Sequence, residues 1–220
     1  MYLVCLQLLF HEDIRPSLPL VEKMAEIATE LLGELPVNID VTVKGDISVH
    51  DSSILGISAL KGALLAVGAE EVTYVNAPGL STERGMSSAV TTTAECPEYR
   101  SMITLRATTG TGKAMSIDGT LMGIKQTQKI VAIDSFRLDL PPTDNILFIR
   151  YVDRPGIIGI VGQTLGEAKV NIAGMQVARS EAGGTALMAL TVDSQVSEAI
   201  VAKVKKDTDA EFVRSVFLVD

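Results

Sequence analysis

The residues best suited to chemistry in this 220-residue sequence cluster at Tyr151-Val152-Asp153-Arg154-Pro155-Gly156, with Asn171 opening the next apolar run. The pattern is a strand feeding a helix. Asp153 stands where an N-cap belongs, Pro155 near the first helical position and Gly156 in the first turn. Such a junction leaves backbone N–H groups free at the helix N-terminus, and these suit a carboxylate. An Asp carboxylate and a Tyr hydroxyl at the same edge could accept and orient an ammonium or hydroxyl group, and Asn171 would add a donor and an acceptor. On chemistry alone two readings stay open, a well-capped helix or a pocket for a free amino acid.

Other combinations fail on spacing. Gly110-Thr111-Gly112-Lys113 lacks the earlier Gly and the trailing Ser or Thr of a phosphate loop, because Ala107 and Ala114 hold those places. It reads as a hairpin turn. Gly156, Gly159 and Gly162 do not form the dinucleotide fingerprint, and close packing of a helix on a sheet is expected of them. His11, in an irregular start, and His50, beside Asp51 at a strand end, have no recognisable catalytic partner. Asp46, Asp118 and Asp134 lie on strand exits without metal-ligand spacing. Cys5 and Cys96 make neither a disulfide framework nor a metal-binding pair. No catalytic residue and no metal site is expected in this chain.

Composition narrows the partners. With 27 Asp+Glu against 19 Lys+Arg the formal charge is −8, and the sequence pI near 4.8 argues against nucleic-acid binding, which needs a basic face, while local basic patches could still bind a small anion. Hydrophobic residues at 47% can build a core, while 4% aromatics and no Trp leave the packing to aliphatic side chains. Two cysteines suit a reducing cytoplasm. The apolar start from Tyr2 to Phe10 is about half a bilayer span and is followed by acidic residues. It is expected to be an edge strand or the scar of an upstream truncation, with no membrane partner.

The positioning elements follow from periodicity. Leu20, Val21, Met24, Ala28, Leu31 and Leu32 predict a helix over 18–32, capped by Ser17 and closed by Gly33. Val37, Ile39, Val41, Val43, Ile47 and Val49 alternate with polar residues as a long strand bent at Gly45. Asp51 or Ser52 would cap a second helix ending at Gly68, and the stretch from Asn76 to Gly79 is a turn or helix entry. Strands are expected from Met86 to Leu140. After Pro141-Pro142 a β-α-β-β-α-β order appears, with strands at 146–151, 171–178, 186–192 and 212–219, helices at 156–168 and 196–206, and a hairpin at Glu181-Ala182-Gly183-Gly184. The fold class is α+β: a domain over 1–142 with a mostly antiparallel sheet, then a ferredoxin-like domain over 143–220.

The Tyr151-to-Gly156 motif with Asn171-Ile172-Ala173-Gly174-Met175 resembles an ACT domain, a βαββαβ module that binds amino-acid effectors between paired subunits. Leu18-Pro19-Leu20-Val21-Glu22-Lys23, Gly33-Glu34-Leu35-Pro36, Ser58-Ala59-Leu60-Lys61-Gly62, Tyr74-Val75-Asn76-Ala77-Pro78 and Gly119-Thr120-Leu121 with Lys125-Gln126 resemble the intervening, allosteric substrate-binding domain of the D-3-phosphoglycerate dehydrogenase family.

The resemblance implies the regulatory portion of an NAD-dependent oxidoreductase of L-serine biosynthesis, carried by a homodimer or tetramer joined through ACT domains. The family's substrate and nicotinamide-binding domains have no counterpart here, so NAD is expected only with that catalytic domain, a further partner. By the same resemblance L-serine, or another small amino acid, would contact Asp153 through its ammonium, with Tyr151 and Ile172 lining the site and Asn171 contributed by the partner. Backbone N–H groups near Pro155 and Gly156 would receive the carboxylate. Relatives can bind an anion in the intervening domain, for which Lys125, Lys129 and Arg137 are candidates, although Phe136, Pro141 and Pro142 stand where some relatives carry basic groups. Two alternatives stay open: the β chain of an iron–sulfur L-serine dehydratase, whose Gly-Pro-Ser-Ser-Ser-His-Thr segment has no match here, and a stand-alone amino-acid-sensing ACT protein.

Overall fold

A computed structural model of the chain describes residues 11–69, 71–180 and 183–218. The expected edge strand at Tyr2 to Phe10, Cys5, and Glu181-Ala182 of the hairpin lie outside the described residues. The chain forms two compact units that divide between Asp134 and Ser135. No described helix is long and apolar enough to cross a membrane.

In the first unit, helix α1 (Ser17–Leu32) and helix α2 (Ile54–Ala66) pack on each other and over a sheet of strands β1 (Pro36–Gly45), β2 (Ser87–Thr93), β3 (Ser101–Thr109), β4 (Ala114–Met122) and β5 (Thr127–Ile133). The order is β2-β1-β3-β4-β5, antiparallel except for the parallel β1–β2 pair. Helix α1 forms because its apolar residues recur on one face: Leu20, Val21, Met24, Ile27 and Ala28 are wholly buried. Gly33 closes it in the left-handed conformation, its N–H donating to the Thr29 carbonyl at 3.0 Å. The two helices touch closely at Gly62, where a Cβ would overlap the Glu22 carbonyl oxygen.

Two expectations change here. Ser17 does not cap α1. Pro16, at φ −64° and ψ −19°, already takes the helical conformation, and the Ser17 hydroxyl is buried without a hydrogen-bond partner. The long strand stops at Gly45, whose φ of +82° turns the chain against the Arg100 carbonyl. A short 3₁₀ turn over Asp46–Val49 follows, leaving Val49 exposed. The stretch from Asn76 is a helix entry, one of the two readings expected: helix α3 (Ala77–Glu83) follows a turn in which the Thr73 N–H donates to Asn76 Oδ1 at 2.7 Å.

The second unit opens with β6 (Phe136–Leu140), which lies against β8 and β9. There follow β7 (Asn145–Val152), α4 (Ile157–Glu167), β8 (Ile172–Arg179), β9 (Thr185–Val192), α5 (Glu198–Thr208) and β10 (Phe212–Phe217). The antiparallel sheet runs β10-β7-β9-β8, the ferredoxin-like arrangement. Leu147, Ile149, Val161, Leu165, Met188, Leu190 and Val213 form its helix–sheet core. Ile146, Phe148, Leu187 and Ala189, pointing the other way, are buried too. Burial on both faces explains why β7 and β9 read as continuous apolar runs rather than alternating ones.

Candidate functional site

Strands β7 and β8 both pair antiparallel with β9 and so run parallel to each other. Their C-terminal ends flank the start of β9, where Val152 pairs with Thr185 and Arg179 with Ala186. Asp153, just past β7, is fixed by its N–H donating to the Gly184 carbonyl at 2.8 Å. Its Oδ2 lies 3.3 Å from Arg179 Nη1; the carboxylate is 19% exposed and the guanidinium 58%. Tyr151 completes the group. It is buried at 3% exposure, and burial pushes its phenol pKa up, a rise that the Asp153 charge reinforces and the Arg179 charge opposes.

Asp153 does not cap α4. Pro155 disfavours helical geometry at Arg154, and the helix starts only after Gly156, which takes the left-handed conformation at φ +96° as the N-cap residue, without a side-chain cap bond. Arg154 turns away and donates from Nη2 to the Thr208 carbonyl at 3.1 Å, tying the loop to the end of α5. Gly156, Gly159 and Gly162 do not serve close packing either, since a Cβ at each would meet nothing within 4 Å.

Asn171 and Ile172 stand at the other end of β8. The Asn171 amide is exposed and donates to Asp193 Oδ2 at 2.8 Å, while Ile172 is half-buried against the helix–sheet core. With β8 running the length of eight residues, Asn171 and Asp153 are roughly 25 Å apart at about 3.3 Å per residue. One chain does not bring them together. Strand β8 is the last in the sheet order, with no hydrogen-bonded neighbour on its outer side among the described residues.

The family model of the D-3-phosphoglycerate dehydrogenase intervening domain matches residues 13–134, and that of the ACT domain matches residues 145–209. The chain belongs to the D-3-phosphoglycerate dehydrogenase intervening-domain family. It is 37% identical over 200 residues to the D-3-phosphoglycerate dehydrogenase of Mycobacterium tuberculosis, covering 91% of this chain and 38% of that protein. The Mycobacterium leprae enzyme is 40% identical over 198 residues, with 88% and 38% covered, and the Synechocystis enzyme 35% over 196 residues, with 89% and 35% covered. The chain thus spans less than half the length of these relatives. ACT domains are small-molecule-binding, oligomer-forming modules, and the Tyr151–Asp153–Arg179 group lies in this one.

In the intervening domain, Lys125 is exposed in the turn between β4 and β5, where the Gln126 N–H donates to the Gly123 carbonyl at 3.1 Å. Lys129 is half-buried on β5 opposite Thr120. Arg137, on β6, belongs to the second unit. Gly110 to Lys113 is the β3–β4 hairpin, its Thr109 N–H donating to the Lys113 carbonyl at 2.9 Å, as the sequence implied.

Two groupings were not visible in the sequence. His11 and His50 stack at 3.6 Å between ring centroids and share Asp13 Oδ2, at 3.4 and 3.2 Å. The rings are within 15° of parallel, so their in-plane lone pairs do not converge on one ion. Beside Asp13 a cavity of about 340 Å³ opens onto Ser17, Asp46, Arg100, Thr120 and Gln126. Arg100 is already paired there with Asp46 at 2.7 Å. The other grouping is Asp153 with Arg179, which only the strand register brings together.

Proposed function

We propose that this chain is the regulatory portion of an NAD-dependent D-3-phosphoglycerate dehydrogenase, and that it binds L-serine as a feedback effector between two ACT domains. The enzyme would oxidise 3-phosphoglycerate to 3-phosphohydroxypyruvate in the cytoplasm, with NAD held by a catalytic domain to which no residue of this chain is assigned. The observation that carries the reading is that Asp153, past the end of β7, and Asn171, at the start of β8, stand at opposite ends of a sheet whose β8 edge is open. A two-fold axis that pairs two β8 edges antiparallel brings the partner's Asn171 to the end where Asp153 stands, and removes an exposed sheet edge at the same time.

Each such interface carries two equivalent sites. Asp153 would accept the ammonium, the Asn171 amide of the partner subunit would meet the polar groups, and Tyr151 would form the floor. Inhibition then requires serine to favour one arrangement of the subunits over another, a coupling free energy between the ACT domain and the catalytic domain. Lys125 and Lys129 remain candidates for an anion in the intervening domain, and Arg137 drops out because it belongs to the second unit.

Isothermal titration with L-serine, alongside glycine and 3-phosphoglycerate, tests this. Saturable serine binding near one site per chain is expected. Heat with glycine or the phosphorylated ligand and none with serine would discard the effector.

A further inference from the structure

Arg179 belongs to none of the motifs in the sequence, yet it stands against the carboxylate to which the proposed site gives the ammonium. The ion pair brings Nη1 to 3.3 Å from Oδ2. A guanidinium carries five N–H donors, so most of them remain available, and the side chain is 58% exposed. Asp153, 19% exposed, is likewise open to a ligand. A carboxylate and a guanidinium side by side, each with unused hydrogen-bonding capacity, present one negative and one positive group to the same small space. A free α-amino acid carries the complementary pair, an ammonium and a carboxylate one carbon apart.

The competing receptor for the effector's carboxylate is the N-terminus of α4. It offers about half an elementary charge, and Pro155 supplies no N–H. Arg179 offers a full charge and planar paired donors, the stronger partner for a carboxylate. It also sits at the end of β8 to which antiparallel edge pairing delivers the partner's Asn171.

We propose that Arg179 receives the carboxylate of the effector, and so makes the site selective for zwitterionic α-amino acids over simple amines. The proposal rests on the effector reading above. The guanidinium can take the carboxylate without releasing Asp153, because it carries five N–H donors and its side chain is 58% exposed.

The test is titration of the full chain and of its Arg179→Met and Arg179→Lys variants with L-serine and with ethanolamine, which is serine without its carboxylate. The wild-type chain is expected to bind serine at least tenfold more tightly than ethanolamine. Arg179→Met should weaken serine at least tenfold and change ethanolamine by less than about threefold, collapsing the preference; Arg179→Lys should keep part of it. A thermal midpoint near that of the wild type identifies the loss as one of binding. Serine binding that is unchanged or tighter in Arg179→Met overturns the proposal while leaving the effector reading intact, and makes Arg179 a counter-ion of Asp153. Absence of serine binding in the wild-type chain overturns both.

Discussion

The α1–α2 junction of the intervening domain and the β7–β8 end of the ACT domain each gather a carboxylate, a cation and a tyrosine, and they differ in how completely the carboxylate is used. Glu22, 8% exposed, has both oxygens occupied, Oε1 by the Lys61 ammonium and Oε2 by the Tyr74 hydroxyl at 3.0 Å. Lys61 also lies over the Tyr74 ring at 5.2 Å. Ser58 adds a bond to the Leu18 carbonyl at 2.6 Å. Asp153 faces, at 3.3 Å, an arginine that is largely in solvent. A saturated buried network rigidifies a helix packing. A half-saturated pair at an open strand end is available to a ligand.

The sharpest way to break the closed junction is Gly62→Ala. The new Cβ would overlap the Glu22 backbone, which cannot step aside as a flexible side chain would. We expect a loss of about 3 kcal/mol or more in the intervening domain, read by calorimetry as a lower first transition. Lys61→Met is next, at about 3 kcal/mol, because it leaves a mostly buried Glu22 charge without its cation. The double change Glu22→Leu with Lys61→Met should restore most of that, and a double variant no better than Lys61→Met alone would contradict a buried-charge origin.

The open pair should respond in the opposite sense. Asp153→Ala is expected to weaken serine binding at least tenfold, about 1.4 kcal/mol, while changing stability by less than about 1 kcal/mol, as for other partly exposed ion pairs. Binding within threefold of the wild type would remove Asp153 from the site.

The smallest effect is a pH dependence at the closed junction. Burial, reinforced by the Glu22 charge, pushes the Tyr74 pKa up from 10 to about 12. The unfolded chain then releases this proton at lower pH than the folded chain. Tyr74 therefore contributes fully below pH 10, and its contribution is lost as pH rises toward about 12. Because the ring is only partly buried, the change should be about 1 kcal/mol. Denaturant titrations across that range should show it in the wild type, and a Tyr74→Phe variant that keeps the same slope would assign it to another group.

Much of this contrast was legible only in part from sequence. Local periodicity located α1, the β-α-β-β-α-β order and the Gly110–Gly112 hairpin, because each is set by residues within one or two turns of one another. Tyr151 and Asp153 were legible for the same reason. Arg179 was not, since its approach to Asp153 depends on β9 lying between two parallel strands, a register no single segment encodes. The stacking of His11 on His50 is hidden in the same way, by the turn at Gly45 that ends the long strand early. Asp153 as an N-cap failed because the Pro155-Gly156 pair delays the helix, a local signal outweighed by the tie of Asp153 to Gly184.

The central claim, that the effector site is completed across two copies, is tested most directly by mixing two dead variants. Asp153→Ala and Asn171→Ala chains, each unable to bind serine alone, are co-refolded so that subunits exchange, and the mixture is titrated with L-serine. A site shared between subunits leaves one intact pair in every mixed dimer, so binding should return at about one serine per four chains for random exchange. A mixture that exchanges subunits but stays silent would contradict the account, because a site built within one chain cannot be rescued by its neighbour.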